Sequence, residues 1–536
     1  MPKPNLSLLP HRLWLAFAAL MVVLPLSVLL LSFADIDREL WAHLWEYQLP
    51  LLLQHTLYMV LGVSAGVLLL GISTAWLTAM YDFPLRRWFF WALMLPLAIP
   101  AYVTAFSLLG VFDYGGVVNV WLRENLGFER GLPDIRNVYG TLIVLSLAFY
   151  PYVYLLARNA FSRMGTRATE VGASLGVSPF ASFFRIALPM ARPWIALGLM
   201  LALMETLADF GTVSVFNYDT FTTAIYQAWY GFYSIETAQQ LASLLIVFVF
   251  VLMVLEQRSR LRQRYTAGGR DAPQQRKTLN GWKKYAATVY CLAILSLAVL
   301  IPLAQLLYWA WQSFGDEFNQ NLWEHTLNSL LLGMMAAVCA GAAALLLAWS
   351  KRRLSNSRFA RAAVGIATLG YGIPGAVLAV GIFIPTAAAD TWLLQHFSWE
   401  EGTASILKGS VTVLVWVYVL RFLAVSFAAT DAGLERISPA QEEAARSLGI
   451  AGFAVLWRVY LPQLKGALGT GMLMVLVDVM KEMPITLMMR PFDWDTLAVR
   501  IYNFTAEGHY QAAALPALLL VASGLLPVIL FSKTEK

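Results

Sequence analysis

The sequence predicts an all-α integral membrane protein of about twelve spans, built as two parallel repeats of six helices. Three observations carry this. Only 13% of the 536 residues are charged and 59% are hydrophobic, against roughly 25% charged in a soluble domain. Apolar runs of about 20 residues recur along the chain, the length of a helix that crosses a hydrocarbon core. One stretch also occurs twice: EVGASLGVSPFASFFRIALP at 170–189 and EAARSLGIAGFAVLWRVYLP at 443–462, at a constant offset (443 − 170 = 273).

The runs are helices because backbone groups in lipid must be satisfied within the segment. A membrane barrel would instead show short alternating strands. The first six spans are expected near 13–33, 51–79, 88–110, 140–158, 195–216 and 238–256. The second six are expected near 285–311, 326–350, 362–385, 409–428, 466–487 and 511–532. The first is about 21 residues long, longer than the apolar region of a cleaved signal. Its Leu24-Pro25-Leu26 echoes Ile301-Pro302-Leu303, so it reads as a retained helix.

A net charge of +6 suggests nucleic acid in a soluble protein. Here Arg86-Arg87, Arg158, Arg163, Arg167 and Lys351-Arg352-Arg353 lie between spans, and the positive-inside rule accounts for them without nucleic acid. The loop after the first span carries Asp35, Asp37 and Glu39 and falls on the other side. Both termini and both copies of the repeated stretch are therefore expected in the cytoplasm. Cys291 and Cys339 sit in apolar spans and suggest neither a disulfide framework nor a metal cluster.

The repeat extends beyond the loop. His55-Thr56-Leu57 matches His325-Thr326-Leu327, Ala98-Ile99-Pro100-Ala101 matches Gly372-Ile373-Pro374-Gly375, and Ile225-Tyr226 matches Ile501-Tyr502. Six spans per unit give both copies one orientation, with a path expected between the halves. The expected division is a first unit at 1–256 (core about 51–256, loop 159–194) and a basic cytoplasmic linker at 257–284. A second unit follows at 285–536 (core about 321–532, loop 429–465). The linker contains Gly268-Gly269 and reads as solvated, with a lipid-headgroup contact as the alternative.

Within the repeated stretch, Ala168–Leu175 has helix formers and Gly176 suits a left-handed stop, as Gly449 does in the second copy. Ser178-Pro179 and Ser438-Pro439 suit helix starts. A passive interfacial linker would not need one Glu, one Gly and one Leu-Pro at identical spacing twice. A pair of docking surfaces for identical partners would.

The pattern Glu-x5-Gly-x9-Ile/Val-x-Leu-Pro resembles the cytoplasmic EAA loop of binding-protein-dependent ABC importer permeases of type I. The second copy holds Glu443-Ala444-Ala445; the first reads Glu170-Val171-Gly172, keeping the Glu and a small residue. The resemblance implies that Glu170, Gly176, Ile186, Leu188 and Pro189, with Glu443, Ala444, Ala445, Gly449, Val459, Leu461 and Pro462, form coupling helices. It also implies two copies of a separate ATPase subunit, which would carry ATP and Mg, and a periplasmic substrate-binding protein, with the permease in the bacterial inner membrane. The chain lacks a Gly-x4-Gly-Lys-Ser/Thr phosphate loop: Gly402–Ser410 has Lys408 and Gly409 in the wrong order. No cofactor is expected on this chain.

Four acidic residues fall inside spans where charge is costly. Glu205 and Asp209 in the fifth match Asp478 and Glu482 in the eleventh at the 273 offset. A spacing of four puts each pair on one helix face. Two readings stay open: a path for a hard cation, or packing against neighbouring helices, with Lys481 neutralising one carboxylate. No metal ligand set is assigned, and His55 and His325 read as interface histidines. METLADFGTVSVFN at 204–217, AIYQAWY at 224–230 and KEMPITLMMRPF at 481–492 resemble fused ferric-iron permeases. The resemblance thus implies iron as cargo, with thiamine, polyamine or oxyanion as alternatives within the same machinery. An ion-gradient-driven secondary transporter is the remaining class.

Overall fold

Long apolar runs close their own backbone hydrogen bonds, and the chain is helical almost throughout. The computed structural model describes residues 8–34, 41–42, 44–128, 131–164, 174, 176–261, 276–355, 357–397 and 405–534. In chain order, its first half supplies α1 (Leu9–Leu31), α2 (Leu49–Met80), β1 (Tyr81–Asp82), α3 (Arg86–Ala92), α4 (Ala101–Phe112), α5 (Val138–Met164), α6 (Leu188–Ala208), α7 (Gly211–Val215) and α8 (Ile235–Leu261). Next come β2 (Lys277–Thr278), α9 (Trp282–Leu295), α10 (Ile301–Glu317), α11 (Gln320–Arg353), α12 (Arg358–Ala367), α13 (Gly375–His396) and α14 (Val411–Glu435). The chain ends with α15 (Pro439–Ser447), α16 (Leu461–Lys481), α17 (Pro484–Met489) and α18 (Tyr510–Thr534), and further helices, among them Val117–Leu126, Phe221–Tyr226 and Leu497–Ala506, lie between the elements named.

Among the described residues eleven helices are long and apolar enough to cross a membrane. The twelfth expected span falls on α18, whose described apolar part runs Tyr510–Leu525. The acidic loop residues 35, 37 and 39, Arg167, Glu170 and most of the linker (262–275) lie outside the described residues.

The expected spans 88–110 and 362–385 are each broken. Ile99 and Ile373 turn extended before Pro100 and Pro374, where α4 and α13 begin. A proline disfavours helical geometry in the residue before it, which separates α3 from α4 and α12 from α13. The freed carbonyls find side chains. Phe90 O accepts Tyr154 Oη at 3.2 Å and Arg158 Nη1 at 3.0 Å, and Leu93 O accepts Tyr150 Oη at 2.9 Å. Ile373 O accepts Arg421 Nη1 at 3.0 Å.

Four Leu-Pro or Ile-Pro steps share a second device. Leu49-Pro50, Leu188-Pro189, Ile301-Pro302 and Leu461-Pro462 each follow a five-residue π turn. Proline lacks the N–H for an i−4 bond and crowds that carbonyl, so the helix widens by one residue instead of breaking. Leu188 N–H reaches Phe183 O, and Leu461 N–H reaches Leu456 O.

The structure comprises two compact units interleaved along the chain. One holds residues 1–36, 225–244 and 319–500; the other holds 37–224, 245–318 and 501–536. Compact unit and sequence repeat are therefore different divisions. In the first unit α1 packs on α12 and α13, and Ser243 Oγ donates to Leu29 O at 2.6 Å. One cluster of Leu15, Ala348, Ala363, Leu423, Leu456 and Tyr460 buries α1, α11, α12, α14 and the turn before α16 together. In the second unit α2 lies against α5, and a Cβ at Gly66 would stand 2.1 Å from Ser146 Oγ, the close small-residue seam of helices in lipid. There Tyr81 and Asp82 also pair in parallel with Lys277 and Thr278, which pins the end of the linker.

Candidate functional site

The second repeated stretch is described in full. Ser438 is extended (φ −68°, ψ 147°) and Pro439 opens α15 at its first turn, where a missing N–H costs nothing. Gly449 stops it at φ +79°. Gly449 N–H bonds Arg446 O at 3.0 Å and Ile450 N–H bonds Ala445 O at 2.9 Å, the paired closure of a Schellman motif. In the first copy Gly176 takes φ +70°, the conformation its position suggests. The expected helix before it lies, apart from Ser174, outside the described residues.

Burial matches between the copies. Ile186 and Val459 are half-buried, as are Leu188 and Leu461, while Pro189 and Pro462 are exposed. Glu443 and Ala444 are exposed and Ala445 is buried. Large apolar side chains face outward beside them: Leu448 (79% exposed), Phe453 and Trp457 in the second copy, Phe180 (76%) and Phe184 in the first. These two surfaces are apolar, helical and anchored at one end by a Leu-Pro helix start.

The residue that anchors α15 is Glu442, which no motif in the sequence marks. Its carboxylate receives Tyr460 Oη at 2.6 Å, Arg446 Nη2 at 2.6 Å and Arg353 Nη1 at 3.2 Å, with Arg352 Nε at 3.7 Å. Burial pushes this carboxyl up, but the Tyr460 hydroxyl and the Arg353 and Arg446 guanidiniums outweigh it and hold it below the usual value. Glu442 has no acidic counterpart, since Thr169 occupies the matching position, so the repeat gives no signal for it. Two of its partners, Arg352 and Arg353, come from the end of α11. The same basic triplet caps α14: Arg352 donates to Leu434 O at 2.6 Å and to Ile437 O at 2.8 Å, and Lys351 pairs with Asp431. Residues that the sequence presents only as topology signals thus also fasten three helices.

The intramembrane carboxylates divide into two kinds. Asp209 and Glu482 are equivalent, and each stands at a break. Asp209 follows the end of α6; its Oδ1 accepts Val213 N–H at 3.1 Å and its Oδ2 accepts Thr212 Oγ1 at 2.9 Å, capping α7. Glu482 follows the end of α16; its Oε1 accepts Ile485 N–H at 3.3 Å at the start of α17. Its Oε2 lies 3.4 Å from Arg421 Nε, and both side chains are buried. Arg421 therefore bridges two breaks, at Ile373 and at Glu482. Tyr418 Oη meets Thr486 Oγ1 at 2.5 Å, and Thr486 Oγ1 donates to Glu482 O at 2.7 Å. Glu205 and Asp478 lie one turn earlier on α6 and α16 and are half-buried.

His55 stacks on Tyr218 at 4.4 Å and meets Asp219 O at 2.9 Å. His325 Nε2 lies 4.0 Å from Asp495 Oδ2. Each ties the start of its span to the polar stretch after a broken helix. Among the described residues there is no group of three or more His, Cys, Asp or Glu side chains arranged to hold a metal ion.

A family model described as binding-protein-dependent transport system inner membrane component matches the chain twice, at residues 67–265 and 329–533. The chain is 27% identical over a 543-residue alignment to the Fe(3+)-transport system permease protein FbpB 2 of Haemophilus influenzae, covering 98% of this chain and 99% of that one. It is 22% identical over 465 residues to the ferric transport system permease protein FbpB of Actinobacillus pleuropneumoniae, covering 82% and 64%. It is 27% identical over 206 residues to the sulfate transport system permease protein CysT of Escherichia coli, covering 37% and 70%.

Proposed function

The chain belongs to the inner membrane components of binding-protein-dependent transport systems, and from that membership we propose that it is the permease of an ATP-driven ferric-iron importer. The observation that carries iron is end-to-end similarity, both repeats included, to a protein named for Fe(3+) transport. The similarity to the sulfate permease spans 37% of the chain. It favours a second reading, an oxyanion as cargo in the same machinery.

Coupling rests on the two surface stretches. A separate ATPase subunit, one copy per stretch, docks on the apolar faces around Phe180 and around Leu448 and Phe453. Glu170 and Glu443 contribute polar contacts, and rigid movement of each stretch passes through its Leu-Pro start into α6 and α16. In this arrangement the termini are cytoplasmic, and ATP and Mg belong to the partner. Glu205 and Asp478 offer hard oxygen donors to a cation in passage. Asp209 and Glu482 shape the helix breaks beside them, half-helix ends of the kind that border transporter paths.

Reconstitution of this chain with a cognate ATPase subunit and an iron-binding periplasmic protein tests the proposal. Iron-loaded binding protein is expected to stimulate ATP hydrolysis and iron uptake. Stimulation by sulfate or thiamine, with none by iron, overturns the cargo and leaves the permease standing.

A further inference from the structure

Folding places two basic and aromatic segments, distant in sequence, side by side in the second unit. Besides the pairing of β1 with β2, Leu279 N–H reaches Asp82 O at 3.1 Å and Thr288 Oγ1 reaches Pro84 O at 3.2 Å. The joint gathers six cations, Arg86, Arg87, Arg276, Lys277, Lys283 and Lys284, and across residues 81–88 and 276–285 the only acid is Asp82. Arg86 is used internally, with Nε on Asp82 at 3.2 Å and Nη1 on Thr78 O at 3.2 Å. Arg87, Lys277 and Lys283 are exposed. The Arg276 guanidinium is held below its ordinary value by burial first and by Arg86 next, with Asp82 opposing and Arg87 adding a smaller push. Like charges are crowded there, and such a surface attracts an anion.

The aromatic residues say where that anion sits. Trp88, Trp282 and Tyr285 are 48%, 74% and 61% exposed, and Lys284 Nζ lies 4.8 Å from the Tyr285 ring centre. α2 ends at Met80 and the apolar helix Trp282–Glu317 begins at Trp282, so the patch lies where two spans leave the apolar phase. Indoles at that depth rest at headgroup level, and basic clusters there attract anionic lipid.

We propose that this joint binds the phosphate of an anionic phospholipid headgroup, with Arg87, Arg276 and Lys277 on the phosphate and Trp88 and Trp282 against the glycerol and upper acyl chain. The site does not depend on the cargo. It turns the linker's end into a lipid-held clamp on the loop between α2 and α3.

Native mass spectrometry of the purified full chain in neutral detergent tests it, titrating phosphatidylglycerol, phosphatidylcholine of the same acyl chains, and inorganic phosphate. Phosphatidylglycerol is expected to bind about tenfold or more tightly than phosphatidylcholine, and inorganic phosphate at equal concentration not to displace it. Arg87→Gln/Arg276→Gln/Lys277→Gln is expected to bring the two lipids level. Lys283→Gln/Lys284→Gln, confined to the first turn of α9, is expected to lower the preference several-fold and carries the test if the triple variant does not insert. Equal binding of both lipids by the unmodified chain, an unchanged preference in the variants, or displacement by inorganic phosphate overturns the proposal. So does a variant that keeps its lipid and loses the ATPase subunit instead.

Discussion

Glu442 Oε2 accepts the Tyr460 hydroxyl at 2.6 Å, joining α15 to the turn that leads into α16. The other oxygen holds Arg353, from the end of α11, at 3.2 Å. The Glu442 side chain is 13% exposed, so three separate segments meet on one nearly buried carboxylate.

Glu442→Gln keeps the shape and removes the charge. Loss of charge-assisted hydrogen bonds worth roughly 1.5–3 kcal/mol each is expected to raise amide exchange in α15 by about tenfold or more. Glu443→Gln, at an exposed position, is expected to leave exchange unchanged while weakening ATPase co-purification. Hydrogen–deuterium exchange and pull-down on both variants separate anchoring from docking, and equal exchange in the two variants would refute the anchoring role.

The depressed Glu442 carboxyl sets a pH dependence. A group with a lowered folded value stabilises above its unfolded value, about 4.3 for Glu, and that contribution is lost as pH falls through the folded value. The exchange advantage of the natural chain over Glu442→Gln is therefore expected at about pH 6 and expected to shrink below about pH 4. Comparing the two proteins at each pH cancels the intrinsic pH dependence of exchange. An advantage that grows on acidification contradicts the assignment.

Arg421 and Glu482 are a buried pair in a helix bundle. Removing one partner strands a charge, and Arg421→Met is expected to cost about 3–5 kcal/mol. Arg421→Met/Glu482→Met is expected to recover much of the loss, since two apolar side chains need no partner. Thermal unfolding in detergent measures both. A double variant as unstable as the sum of the singles would show that the two side chains act independently.

At Gly449 φ is +79° and open space lies where a methyl group would stand, so the cost of a side chain is confined to the backbone. Gly449→Ala is expected to lose about 1–2 kcal/mol locally, and Gly449→Asn less, since Asn tolerates this conformation. Exchange at Ile450, whose N–H closes on Ala445 O, reports it; similar behaviour of the two variants would argue against a left-handed requirement.

Glu205→Gln/Asp478→Asn is expected to lower cargo uptake with the ATPase still bound. Asp209→Asn or Glu482→Gln is expected to lower stability as well, because these carboxylates hold α7 and α17. Normal uptake in the first variant removes Glu205 and Asp478 from the path.

Much of this molecule is legible without coordinates. The spans, the duplicated surface stretch, the left-handed Gly176 and Gly449, and the helix start at Ser438-Pro439 follow from local rules: apolar length, glycine freedom and the missing proline donor. These depend on a residue and its near neighbours, so a linear string contains them. Which charge meets which is another matter. That Glu442 rather than Glu443 anchors α15, that Arg421 spans two helix breaks, and that α1 packs with residues 319–500 are contacts between positions far apart in the chain. Periodicity reports that a side chain is buried, and only the packed fold selects its partner. The same limit hid the joining of the Arg87 segment to Arg276: the sequence offers a headgroup contact for the linker alone, and only the paired strands bring the two segments together.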